Sequence, residues 1–115
     1  MKRALSLVIL AAVLLSLCAC GSKRMEGISD RAYGYGLAAL ETADEFINGQ
    51  IDADTASDKL ARNLILVDAC DGENDILVGS IISRLKISID HKNNGTGTMG
   101  SVKDVRDDLA KLLGK

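Results

Sequence analysis

Three observations predict an all-α fold, a small bundle of about four amphipathic helices behind an N-terminal signal segment. Apolar residues recur at helical spacing in four separate stretches. The 115 residues contain no Pro, so nothing obliges a helix to break. With no Trp, one Phe and two Tyr, the core must be built from aliphatic side chains.

The first helix is expected from Ser29 or Asp30, either of which can cap it, to about Asn48. At about 100° per residue, Ala32, Tyr33, Ala39, Leu40, Ala43, Phe46 and Ile47 share one face, with Asp30, Arg31, Glu41 and Glu45 turned away. Gly34 and Gly36 weaken its first turns, and Asn48-Gly49 supplies a left-handed stop. Asp52 caps a second helix, about Ala53 to Cys70, whose stripe is Ala56, Leu60, Leu64, Val67 and Cys70. The short connection predicts an antiparallel hairpin. Ile65 and Leu66 fall off the stripe and call for a second contact surface or exposure.

Asp71 to Asp75 is a polar break with a glycine. A third helix follows, about Asp75 to His91, with Leu77, Val78, Ile81, Ile82, Leu85 and Ile89 over an arc of about 140°. Ile76 and Ile87 lie outside that arc. A strand reading competes at residues 85–90, where Leu85, Ile87 and Ile89 alternate with polar residues, but the helical pattern accounts for more of the segment. Lys92 to Gly100 reads as a flexible loop. Ser101 with Asp104 reads as a capping box opening the last helix, with a stripe of Val102, Val105, Leu109, Leu112 and Leu113 before Gly114.

The N-terminus carries the most specific motif. Lys2 and Arg3 precede an uncharged run, Ala4 to Leu17, and then Leu17-Cys18-Ala19-Cys20-Gly21. A basic start, an apolar run and a small-residue cleavage site make a secretory signal. This stretch resembles the lipobox signal peptides of bacterial lipoproteins. The resemblance covers residues 1–21 and implies cleavage between Ala19 and Cys20, with diacylglycerol on the Cys20 sulfur. Cys18 fits less well, since bulky Leu17 would then occupy the cut site. A permanent transmembrane span is the rival, but spanning takes about 20 apolar residues and this run is shorter. An unlipidated secretory peptide is the other. The expected organisation is a signal peptide at 1–19, a lipidated cysteine and tether at 20–28, and a helical domain at 29–115.

Removing residues 1–19 leaves 12 basic against 16 acidic side chains. Such a chain has no electrostatic footprint for nucleic acid and gains nothing from anionic lipid, so attachment to the membrane falls to the acyl chains on Cys20. With Cys20 acylated, Cys70 is the remaining thiol and no internal disulfide can form. Cys70 reads as a small buried hydrophobe, with an intermolecular disulfide as the alternative.

Other constellations are weaker. Gly95-Thr96-Gly97-Thr98-Met99-Gly100 has the spacing of a nucleotide-binding turn, but four residues separate it from any strand and only 15 follow it, so no nucleotide is expected. Asp44 to Thr55 imitates a calcium loop, with Phe46 and Thr55 where ligands belong. Asp68, Asp71, Glu73 and Asp75 read as a solvated acidic loop, and no metal or other cofactor is expected. His91 ends the third helix, where its positive form suits the helix dipole; no nucleophile stands out for it to activate. The expectation is therefore a membrane-anchored extracytoplasmic protein without catalytic residues. It would engage a protein partner or a second copy of itself through Ile65, Leu66, Ile76 and Ile87. An accessory or inhibitory role on an envelope enzyme, and a small hydrolase, are the alternatives.

Overall fold

A computed structural model describes residues 23–115, and every regular element among them is a helix. These are α1 (Asp30–Ile47), α2 (Ala53–Asp68), α3 (Asp75–Asn93) and α4 (Met99–Leu112). Ala19 and Cys20 lie outside the described residues. The helical reading of residues 85–90 holds, because α3 runs through them without a break.

The ends of the helices follow from local hydrogen-bond chemistry. Ser29 Oγ accepts from the Ala32 amide at 3.2 Å and Asp52 Oδ1 from the Thr55 amide at 2.8 Å, capping α1 and α2 as their side chains predict. At α4 the cap differs from expectation. Thr98, not Ser101, has extended backbone and accepts from the Ser101 amide at 3.2 Å, so the helix begins at Met99. Hydroxyl capping is the right chemistry, displaced by three residues because Met99 and Gly100 carry no signal of a first turn. α1, α3 and α4 each stop in a Schellman turn, with amide-to-carbonyl bonds from Gln50 to Glu45, Thr96 to His91 and Lys115 to Ala110.

Short connections set neighbouring helices antiparallel. α3 packs against both α2 and α4, α1 closes the ring against the same two, and α2 and α4 stand diagonally opposite without touching. Leu60, Ile82, Leu85, Ile89, Leu109 and Leu113 are fully buried between them. α1 contributes mainly Ala32, Ala39 and Ala43, so its backbone approaches the others closely. Gly36 belongs to this contact: a Cβ there would sit 2.9 Å from Leu113 Cδ2, so the glycine that weakens the isolated helix is what admits Leu113. The predicted arc of α3 is too wide, since Leu77 is exposed and Ile81 only half-buried.

Residues 23–28, which the sequence offers as tether, are packed against the bundle. The Met25 amide donates to Leu112 O at 3.1 Å, Gly27 O accepts from the Asn74 amide at 2.8 Å, and Ile28 is buried in the core. Gly114, at φ +74°, lies directly beneath Lys23 and Arg24, where any side chain would collide with their backbone.

Candidate functional site

The described residues present two kinds of unusual feature, a buried carboxylate and a set of uncovered aliphatics. Asp75, the first residue of α3, is 2 % exposed. Its Oδ1 accepts from the Ser29 amide at 2.8 Å, and its Oδ2 accepts from the Ser29 hydroxyl at 2.7 Å and the Gly72 amide at 2.8 Å. Burial by itself raises the pKa of this carboxyl; the hydrogen bonds from Ser29 and Gly72 outweigh it and hold the pKa below the ordinary value. Three donors fix an ionised group beside a groove between α2 and α3, and their bonds occupy both of its oxygens. Asp75 is therefore a staple between the start of α1 and the start of α3. This corrects its reading as one of four solvated acids; Asp68, Asp71 and Glu73 are less enclosed, with Asp68, Asp71 and Glu73 exposed.

The four aliphatics singled out by their position off the stripes all reach solvent: Ile65 is 71 % exposed, Leu66 42 %, Ile76 77 % and Ile87 52 %. They do not form one patch. Ile65 and Leu66 straddle the outward line of α2, about 100° apart. Ile76 and Ile87 share an edge of α3, eleven residues and about 16 Å apart along its axis. Sequence reasoning missed two more exposed apolar residues, Met25 and Leu77. Met25 lay in the presumed tether, and Leu77 lay within the broad apolar arc.

Two grooves run beside these residues. One of about 530 Å³ lies between α2 and α3, lined by Leu64, Val67, Cys70, Ile76, Gly79 and Ser83. Its floor follows from small side chains at Gly79 and Ser83. Cys70 is a free thiol, half-buried rather than buried, with its Sγ donating to Leu66 O at 3.4 Å. The other, of about 350 Å³, lies between α3 and α4 and is lined by Ile87, His91, Thr96, Gly97 and Val105. His91 is exposed in the last turn of α3, as expected, and its Nδ1 lies 3.1 Å from Thr96 Oγ1. Among the described residues, no carboxylate hydrogen-bonds to this pair.

The remaining motifs dissolve into local structure. Gly95 forms the left-handed stop of α3, Gly97 passes too close to His91 for a side chain, and Gly100 is already inside α4. Asp44, the first residue of the calcium-like stretch, instead receives the Arg106 guanidinium through two bonds of 2.8 and 3.1 Å, tying α1 to α4. This contact with Asp44 keeps the Arg106 pKa raised against the cost of burial. Among the described residues, no three His, Cys, Asp or Glu side chains converge on a metal-sized space, and no helix is long and apolar enough to cross a membrane. No protein-family model, curated protein or solved structure matches this chain.

Proposed function

We propose that this chain is a lipid-anchored, extracytoplasmic interaction domain of a bacterial envelope, and that it recruits a protein partner without performing chemistry. Support for the anchor is the Leu17-Cys18-Ala19-Cys20 stretch, with Cys20 as the acylated residue. Support for the interaction role is one observation: Ile65, Leu66, Ile76 and Ile87 stand in solvent although the core is already filled by aliphatic residues of the same size, Leu60, Ile82, Leu85, Ile89 and Leu109 among them. Aliphatic side chains displayed beside grooves suit a partner's apolar surface better than a reaction. Ile87, beside the α3–α4 groove, is the part of this surface farthest from the lipid-bearing end of the chain.

One experiment addresses both halves. Cells fed labelled fatty acid should label the protein, Cys20→Ala should lose the label, and mild-detergent extracts should yield a copurifying protein or a second copy of the chain. Ile87→Lys should remain folded, given its exposure, and lose that companion. Label kept by Cys20→Ala overturns the anchor, and a companion kept by Ile87→Lys overturns the contact surface.

A further inference from the structure

We infer that the bundle stands end-on to the bilayer, and that a collar of exposed apolar side chains around its anchored end enters the lipid surface. The inference rests on acylation of Cys20 and names lipid as the occupant of part of the apolar surface described above.

The geometry begins with chain length. Only Gly21 and Ser22 separate Cys20 from Lys23, so an extended chain places the acylated residue no more than about 10 Å from Lys23. Lys23 itself is not free to wander. It lies over Gly114, and two residues later the Met25 amide bonds Leu112 O. The next residues are fastened to the start of α3, where Asn74 Nδ2 donates to Glu26 O at 2.6 Å. The end of the bundle holding the start of α1, the end of α2, the start of α3 and the end of α4 is thereby held within about two helical turns of the acyl chains.

That same end carries the uncovered hydrophobics. Of the six large apolar residues exposed among the described residues, five belong to it: Met25, Ile65, Leu66, Ile76 and Leu77. Ile65 and Leu66 lie in the last turn of α2, Ile76 and Leu77 in the first turn of α3, and Met25 against the last turn of α4. Ile87 stands apart, about 16 Å farther along α3 than Ile76. The five form a band about one turn, or 5 Å, deep. Apolar faces of interfacial helices enter the boundary between headgroups and acyl chains by about 5–10 Å.

Charge sets the depth. Asp71 and Glu73 are exposed at the tip between α2 and α3, and Asp68 beside it. Carboxylates hold the contact at the headgroup level and oppose anionic lipid, so seating draws on apolar area and the acyl chains. Lys23 and Lys115, both exposed here, have stems long enough to lie along the apolar band with their ammonium groups in water.

The test uses the mature protein as cells process it, its acyl groups verified by mass, in vesicles of phosphatidylcholine. In a Cys70→Ser background, nitroxide labels at Ile76→Cys and, at the opposite end, Gln50→Cys are compared for accessibility to oxygen against a water-soluble nickel complex. The oxygen-to-nickel ratio at position 76 should clearly exceed that at position 50 if the label lies at interfacial depth. Adding Met25→Lys and Leu77→Lys should bring the two ratios together while the protein stays on the vesicles with its helical circular dichroism intact. Equal ratios in the first comparison, which needs no lysine variant to fold, overturn the seating and leave lipidation standing. A mature chain without acyl groups overturns both. A raised ratio at position 76 in native membranes but not in pure lipid assigns the collar to a protein partner and overturns the proposal.

Discussion

At one end of the bundle, Asp75 is sealed beneath Ser29 and Gly72, Ile28 plugs the core, and residues 23–28 are stitched to Leu112 and Asn74. At the other, the turns at Asn48–Asp52 and Asn94–Thr98 close by local bonds, helix caps and glycine stops, with Ile87 the one large exposed apolar residue near them among the described residues. Local turns form from neighbouring residues and contribute little beyond themselves. Apart from local bonds such as Gly72–Asp75, the hydrogen bonds at the first end join residues 46 or more positions apart, so it depends on the whole fold and holds it together. Toward the other end the Arg106–Asp44 pair still ties α1 to α4 across 62 positions, but the turns themselves close locally and tolerate change.

This contrast is open to measurement. The largest effect should come from Asp75→Asn, which places an amide NH₂ against donors from Ser29 or Gly72 and removes the charge. At pH 7 it should cost about 3 kcal/mol in chemical denaturation. The pH dependence gives the sign. The folded-state pKa of Asp75 lies below its unfolded value, so its stabilisation is complete above about pH 4 and is lost as pH falls through the folded pKa. The variant should accordingly lose less stability than wild type between pH 4 and pH 2. An equal decline in both proteins would place the acid sensitivity elsewhere.

Ile28→Ala should rank second, at about 2–3 kcal/mol for a buried aliphatic truncated in a well-packed core. A cost near zero would show that residues 23–28 are a loose tether after all, and the difference between the ends would shrink accordingly. The smallest effect belongs to the far end. Thr98→Ala should cost about 1 kcal/mol through loss of the α4 cap, and Ser101→Ala much less. The reverse order would return the start of α4 to Ser101.

Much of the far end was legible in the sequence, and for the same reason that it is tolerant. Asn48-Gly49 and Asp52 announce a stop and a start through their own side chains, and the stripes of α2 and α4 repeat within a few residues. Ile65, Leu66, Ile76 and Ile87 could be recognised as surplus because each breaks a periodic pattern. The end that seats residues 23–28 was hidden. Nothing near Asp75 reveals that Ser29 will cover it, since that partner is 46 residues away. The docking of residues 23–28 has no period, and Leu77 is exposed within an arc that looked apolar throughout. Their common cause is tertiary: burial of these residues is decided by which helix end arrives beside them.

The bond from the Met25 amide to Leu112 O joins residues at opposite extremes of the described chain. A polypeptide emerging from N-terminus to C-terminus presents residues 23–28 early, yet their resting place against Leu112 and Gly114 does not exist until α4 has followed. During that interval the stretch beside Cys20 has no seat to occupy. Closure of the bundle is thus timed by its own topology, and residues 23–28 lack their docking contacts until α4 has been made.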